Sequence, residues 1–279
     1  MKLPPQRLES QDEHVVLQDG TSPVRMRVHA RAVVARSAPL VLHFHAGAFV
    51  DGSPDSDIIA RLLAQTGAVV VSLDYPLAPE HPFPAAVEAG YAALLWLQQE
   101  RRRLSGAHAP LLVAGEEAGG NLAAAVALIA RDRGGPDLAA QLLLSPMLDM
   151  CVATASLRDV KAGPVGCHWA DGWRQYLARA DDATHPYATP GRSMRLAGLP
   201  PTLLVTAQDD PLRDETQAYA GRLRDAGVAV HSHVLPAPTG LPASYLQPDA
   251  APPWADTVRA QLQQFLFSTH PTDSSRNTP

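Results

Sequence analysis

The sequence predicts an α/β fold, a mostly parallel, doubly wound sheet with helices on both faces. Three observations carry that expectation. Ala68–Leu73 (AVVVSL) is a continuous apolar run, the pattern of a strand buried on both sides of a parallel sheet. Runs of that kind alternate along the chain with segments of helical apolar spacing, as repeated βαβ units require. In LLVAGEEAGGNLAAAVALIA an apolar strand, a tight glycine turn and an alanine-rich helix follow one another without a linker.

In order, Val24–Val34 reads as an early strand, Pro39–Phe44 as a second and Ala68–Leu73 as a third. Pro84–Gln99 places Val87, Tyr91, Leu94 and Leu95 on one stripe of a helix that covers a face of the sheet. Leu111–Ala114 is a strand, and the helix after it begins near Ala118. Ala139–Leu144 and Thr202–Thr206 are strands, Glu215–Ala226 a helix, Val228–Leu235 the last strand, and Trp254–Phe267 the closing helix. Ligands of such sheets bind at the carboxyl ends of the strands. One domain over residues 14–268 is expected, with residues 1–13 and 269–279 flexible because they are polar and rich in Pro, Ser and Thr. No internal repeat is visible.

Composition narrows the function classes. With 279 residues and 46% hydrophobic content the chain can bury one large core. A net charge of −5, no basic cluster and 5% aromatics exclude a nucleic-acid reader. The start MKLPPQRLES lacks an apolar leader core and no run reaches membrane-spanning length, so a cytoplasmic protein without a membrane partner is expected. Cys151 and Cys167 lack metal-ligand spacing and read as reduced thiols; no metal or cofactor is expected. Two lysines against 21 arginines reflect codon bias rather than chemistry. The expected partner is a small-molecule substrate, and a homodimer is left open.

The stretch Gly115-Glu116-Glu117-Ala118-Gly119-Gly120 has the layout of a nucleophile elbow, G-x-S-x-G, with glutamate in place of serine. Gly115 and Gly119 suit it, because a sharp turn with close helix–strand packing leaves no room for side chains. The segments HFHAGAFVDGS (43–53), LDYPLAPEHPFPAAVEAGYAAL (73–94), GEEAGGNLAAAVAL (115–128), LLLSPMLD (142–149), GLPPTLLVTAQDDPLRDETQAYAGRLRDAGV (198–228) and LPAPTGL (235–241) together resemble the hormone-sensitive-lipase branch of the α/β-hydrolases over roughly residues 20–265. The resemblance implies a Ser–Asp–His triad and an oxyanion hole from an HGGG loop. Here the nucleophile position holds Glu117, the acid position Asp210, and the histidine position Thr239. The loop reads His45-Ala46-Gly47-Ala48, and the N–H groups of Gly47, Ala48 and Ala118 are the expected oxyanion donors.

Further pocket candidates follow from the same resemblance. Glu116 is expected to hydrogen-bond beside the nucleophile position, and His45 to open the oxyanion loop in a structural role. Asp51 lies within reach of the pocket mouth. Relatives place a cap helix where residues 155–190 form a cap-like insertion, so His168, Trp169, Trp173 and Tyr176 are expected over the pocket. His43 and Phe44 belong to the strand and His81 to a turn. The N-terminal part of the cap is expected to be reduced, because Glu13–Val34 reads as strands rather than helix.

The chemistry expected from these residues is not that of a serine esterase, since Glu117 has no hydroxyl and Thr239 cannot act as a base. A carboxyl in an apolar pocket near Asp210 has a raised pKa and suits proton transfer. With the three N–H donors it suggests a non-hydrolytic cyclase, lyase or isomerase of secondary-metabolite biosynthesis. Two alternatives stand beside that reading. One is a catalytically dead ligand-binding protein, as in the plant gibberellin receptors; the other is a hydrolase in which Glu117 activates water.

Overall fold

The computed structural model describes residues 8–16, 24–56, 58–151, 153–159, 163–246 and 252–269. Eight strands form one sheet: β1 (Leu8–Val15), β2 (Val24–Arg31), β3 (Leu40–Phe44), β4 (Val69–Leu73), β5 (Leu111–Glu117), β6 (Ala140–Pro146), β7 (Thr202–Ala207) and β8 (Val230–Leu235). Their order is β1-β2-β4-β3-β5-β6-β7-β8. β1 pairs antiparallel with β2 and β2 antiparallel with β4; every later pairing is parallel.

Burial on both faces explains why the central strands read as unbroken apolar runs. Along β5, Leu111 and Val113 join one hydrophobic cluster while Leu112 and Ala114 join the other. The first cluster is completed by α2 (Ala85–Leu104), α3 (Ala118–Asp132) and α6 (Arg213–Asp225), the second by α1 (Ile58–Thr66) and α7 (Ala255–Thr269). Side chains alternate across a strand, so the five-residue strands β3 and β4, buried throughout, are apolar except at His43 and Ser72, which bond each other.

Two expectations are corrected. Residues 8–13 are not a frayed terminus. They lie in β1, paired residue by residue from Leu8↔Arg31 to Val15↔Val24 and pinned by Arg25 and Arg27 to Asp12 at 3.0 and 2.7 Å. An edge strand with a solvated face can be polar, so composition alone mistook it for loose chain. At the other end α7 runs to Thr269; residues 1–7 and 270–279 lie outside the described residues. Helix α1 was not expected from the sequence, although Ile58, Ile59, Leu62 and Leu63 mark its buried stripe.

The region expected to form a cap-like insertion holds α4 (Ala155–Arg158) and α5 (Gly163–Tyr176), then one-turn helices at Ala180–Thr184 and Pro190–Arg192. Among the described residues no helix precedes the turn at Pro54–Ser56. α5 lies directly on the loop after β3. A Cβ on Gly172 would sit 2.0 Å from the carbonyl oxygen of Ala48, so only glycine permits this approach.

Candidate functional site

β5 ends on Glu117, whose backbone (φ 52, ψ −119) lies in the left-handed half of φ space, and α3 starts at the next residue. A non-glycine residue held there is strained, and such strain persists only where the surroundings impose it. The flanking glycines impose it. A Cβ on Gly115 would meet the Gly119 carbonyl at 2.3 Å, and one on Gly119 would meet the carbonyl oxygens of Phe44 and His45 at 2.1 and 2.4 Å. α3 is thereby pressed against β3, and the side chain of Glu117 is driven inward, to 3% exposure.

Both carboxyl oxygens of Glu117 accept hydrogen bonds. The Gly47 N–H donates to Oε2 at 3.2 Å and the Trp169 indole N–H to Oε1 at 3.1 Å. Burial nevertheless pushes this carboxyl well above the usual glutamate range. The nearby charges of Glu116 and Asp210 add to that push, and the two donors only partly oppose it. Desolvation wins because two neutral donors replace less than the full hydration shell of an anion.

The three expected oxyanion donors are all engaged, which corrects the expectation that they are open to a ligand. The Gly47 N–H serves Glu117 itself, the Ala48 N–H donates to Asp51 Oδ1 at 2.8 Å, and the Ala118 N–H donates to the Gly47 carbonyl at 3.1 Å. Asp51 also faces His168 Nε2 at 3.0 Å, so these two candidates tie α5 to the loop and meet each other. Trp169 and Trp173 are core residues, 1% and 4% exposed; Trp173 packs at 4.8 Å from Phe49, which stacks on Tyr176 at 4.0 Å. The Glu116 carboxyl lies 2.8 Å from His43 Nε2, and His43 Nδ1 contacts Ser72 Oγ at 3.1 Å, a buried chain beneath the elbow. His45 turns its Nδ1 to the Ala46 carbonyl and stacks on Tyr75 at 4.1 Å.

Asp210 is buried at the end of β7. It accepts from the Thr206 hydroxyl at 2.6 Å and the Leu212 N–H at 2.9 Å. Burial raises its pKa, while the hydroxyls of Ser145 and Thr206 pull it back. Thr239 does not join it. The Thr239 N–H and hydroxyl both donate to the preceding carboxylate, Asp209, at 2.7 and 2.8 Å. The expected grouping of Glu117, Asp210 and Thr239 is thus divided: the charge of Asp210 reaches Glu117, and Thr239 is tied to Asp209. Sequence reasoning overlooked Asp209, Ser145 and Tyr245. The adjacent Asp209-Asp210 pair was the available signal for the first; nothing local pointed to the others.

A family model described as alpha/beta hydrolase fold matches residues 41–239. The chain belongs to this alpha/beta hydrolase family. The carboxylesterase NlhH of Mycobacterium tuberculosis is 37% identical over 245 residues, covering 82% of this chain and 75% of NlhH. The solved structure of a bacterial heroin esterase superposes with a TM-score of 0.83 at 31% identity, covering 96% of this chain and 85% of that one. A gibberellin receptor of Arabidopsis thaliana is 34% identical over 227 residues, covering 76% of this chain and 64% of the receptor. These alpha/beta hydrolase relatives overturn the expectation of a biosynthetic cyclase, lyase or isomerase: NlhH and the heroin esterase are named for ester hydrolysis, and none of the three carries such an activity in its name. The receptor is a weaker pointer to ligand binding. Among the described residues no helix is long and apolar enough to cross a membrane.

The buried carboxyl gives a pH-dependent prediction. With a folded pKa above the ordinary glutamate value of 4.5, Glu117 holds its proton to higher pH in the folded chain than in the unfolded one. The unfolded state then binds fewer protons, so this group costs stability progressively as pH rises above about 4.5. Glu117→Gln carries its own pH-independent penalty, because its NH2 faces one of the two donors. Its melting temperature relative to the unmodified chain should therefore become more favourable between about pH 5 and about pH 8. Parallel melting curves for the two proteins across that window would refute the raised pKa.

Proposed function

We propose that this chain is a small-molecule-binding member of its esterase family that does not hydrolyse esters by the serine route. In this reading Glu117 stands at the family's nucleophile position and Thr239 at its histidine position. The observation that carries it is the bond from the Gly47 N–H to Glu117 Oε2: the carboxyl at the elbow fills the hole that would otherwise receive a substrate's carbonyl oxygen. Such holes act by donors aimed at a developing oxyanion, and donors already satisfied contribute nothing there. The class of ligand is an uncharged small molecule bearing an ester or related carbonyl. Esters are what the family's named enzymes act on, and a neutral buried carboxyl offers no attraction to a cation.

A second reading is favoured by the names of those relatives, namely residual ester hydrolysis with ionised Glu117 as the base that activates water. One assay separates the two. With p-nitrophenyl butyrate between about pH 5 and about pH 9, the proposal expects no release above the enzyme-free control. It also expects the intact ester to raise the melting temperature, as a ligand that binds only the folded state must. Release that grows with pH and disappears in Glu117→Gln would establish the second reading. Robust release insensitive to Glu117→Gln would overturn both.

A further inference from the structure

A cavity of about 300 Å3 opens between the segment after β6 and one face of α6, and neither Glu117 nor Asp210 lines it. Glu215, Ala218, Tyr219 and Arg222 form its α6 side, at the spacing of a single helical stripe. Leu148 and Asp149 line it from the strand end, together with the exposed Cys151. Its walls are fixed. The Gly191 N–H donates to the Leu148 carbonyl at 3.0 Å, and a Cβ on Gly191 would come within 2.6 Å of that oxygen. Arg222 donates to the carbonyl oxygens of Gly191 and Ser193. Ser156 fastens α4 to α6, its hydroxyl donating to the Pro211 carbonyl at 2.7 Å and its N–H to Asp214 at 2.8 Å.

Glu215 is 7% exposed, and a glutamate is rarely buried so far without a cation beside it. Its Oε1 accepts the Leu148 N–H at 3.2 Å. Among the described residues it forms no ion pair: Arg213 pairs with Asp214 instead, and Arg222 spends both terminal nitrogens on backbone carbonyls. Burial pushes the Glu215 carboxyl well above the usual glutamate range against the pull of the Leu148 N–H, and the charges of Asp149 and Asp210 push it further. Tyr219, in the same wall, keeps its hydroxyl buried with no hydrogen-bond partner among the described residues.

We propose that this cavity binds a small primary amine, whose ammonium group pairs with Glu215 and Asp149 while its apolar body lies along Ala218 and the Tyr219 ring. An ammonium brings three donors and the positive charge that the buried carboxyl lacks. An anion would meet two carboxyls and a guanidinium that is already engaged. The volume lies at the lower end of the range for small-molecule sites, about 300–1,000 Å3, which limits the occupant to a compact amine. The site is independent of Glu117 and stands whichever reading of the elbow holds.

The test uses the full chain with Cys167→Ser, which leaves Cys151, in the wall of the cavity, as the remaining thiol. The readout is the rate at which dithiodipyridine labels Cys151 in the presence of phenethylamine, with phenethyl alcohol as the uncharged probe of the same shape. Phenethylamine is expected to slow labelling saturably, and the alcohol to do so with an affinity about tenfold or more weaker, the usual cost of losing one side of a buried charge pair. Glu215→Gln keeps an acceptor for the Leu148 N–H but removes the charge, and should weaken protection by phenethylamine to the same degree. Labelling that phenethylamine does not slow, equal protection by the alcohol, or protection that survives Glu215→Gln overturns the proposal. If Glu215→Gln does not fold, Ala218→Leu fills the cavity from the exposed side of α6 and carries the same comparison. Phenethylamine should then no longer protect Cys151, and protection that persists in Ala218→Leu overturns the site.

Discussion

Gly119→Ala is expected to cost about 3 kcal/mol or more, the upper range for overpacking a rigid site. The added methyl would sit 2.1 Å from the Phe44 carbonyl oxygen and 2.4 Å from that of His45. Both are backbone atoms at the end of a strand in the middle of the sheet, so neither can rotate away. Either α3 lifts from β3 or the elbow opens, and both routes unpack fully buried residues such as Leu122 and Val126. Measured against a total stability of about 5–15 kcal/mol, a loss of that size lowers the urea midpoint severely. Gly221→Ala on α6 is the control. Nothing lies within 4 Å of the place its new methyl would take, so stability there should hold or rise by about 0.5–1 kcal/mol. Equal midpoints for Gly119→Ala and Gly221→Ala would mean that the elbow is not closed against β3 as described.

Trp169→Ala is expected to destabilise the protein by about 3–5 kcal/mol, the usual range for emptying a buried indole site. The side chain is 1% exposed and belongs to the same apolar cluster as α2 and α3. The mutation also leaves Glu117 Oε1 without the indole donor. Trp169→Phe separates the two losses: it keeps most of the packing and removes only the N–H, which should cost about 1–3 kcal/mol. Because Trp169 joins α5 to the elbow, its loss should also expose α5 to trypsin at Arg174, a residue already on the surface. If Trp169→Ala melts within about 1 kcal/mol of the unmodified chain and α5 resists trypsin, then α5 is held by other contacts and the Glu117–Trp169 bond is incidental.

Much of this architecture was legible in the chain itself. β3 to β7 are buried on both faces, so their apolar runs carry no ambiguity of register or side, and Gly115 and Gly119 announce a turn that tolerates no Cβ. Two elements escaped that logic. β1 is a polar edge strand whose order comes from pairing with β2, and α1 is a nine-residue helix whose stripe of Ile58, Ile59, Leu62 and Leu63 is too short to announce itself by periodicity. At the site, the sequence by itself determined which residue stands on the elbow, that it is a carboxyl with no hydroxyl, and that no histidine stands at 239. Only the tertiary structure decided where the hydrogen bonds go. Trp169 lies 52 residues from Glu117 and Tyr245 lies 100 residues from Ser145, separations at which no periodicity connects two side chains. Whether Thr239 serves Asp209 or Asp210 depends on the turn after β7, where adjacent carboxyls point to different neighbours. That the N–H groups of Gly47, Ala48 and Ala118 are spent within the chain could not be seen in the sequence, because a backbone donor shows its partner only when the chain is folded around it.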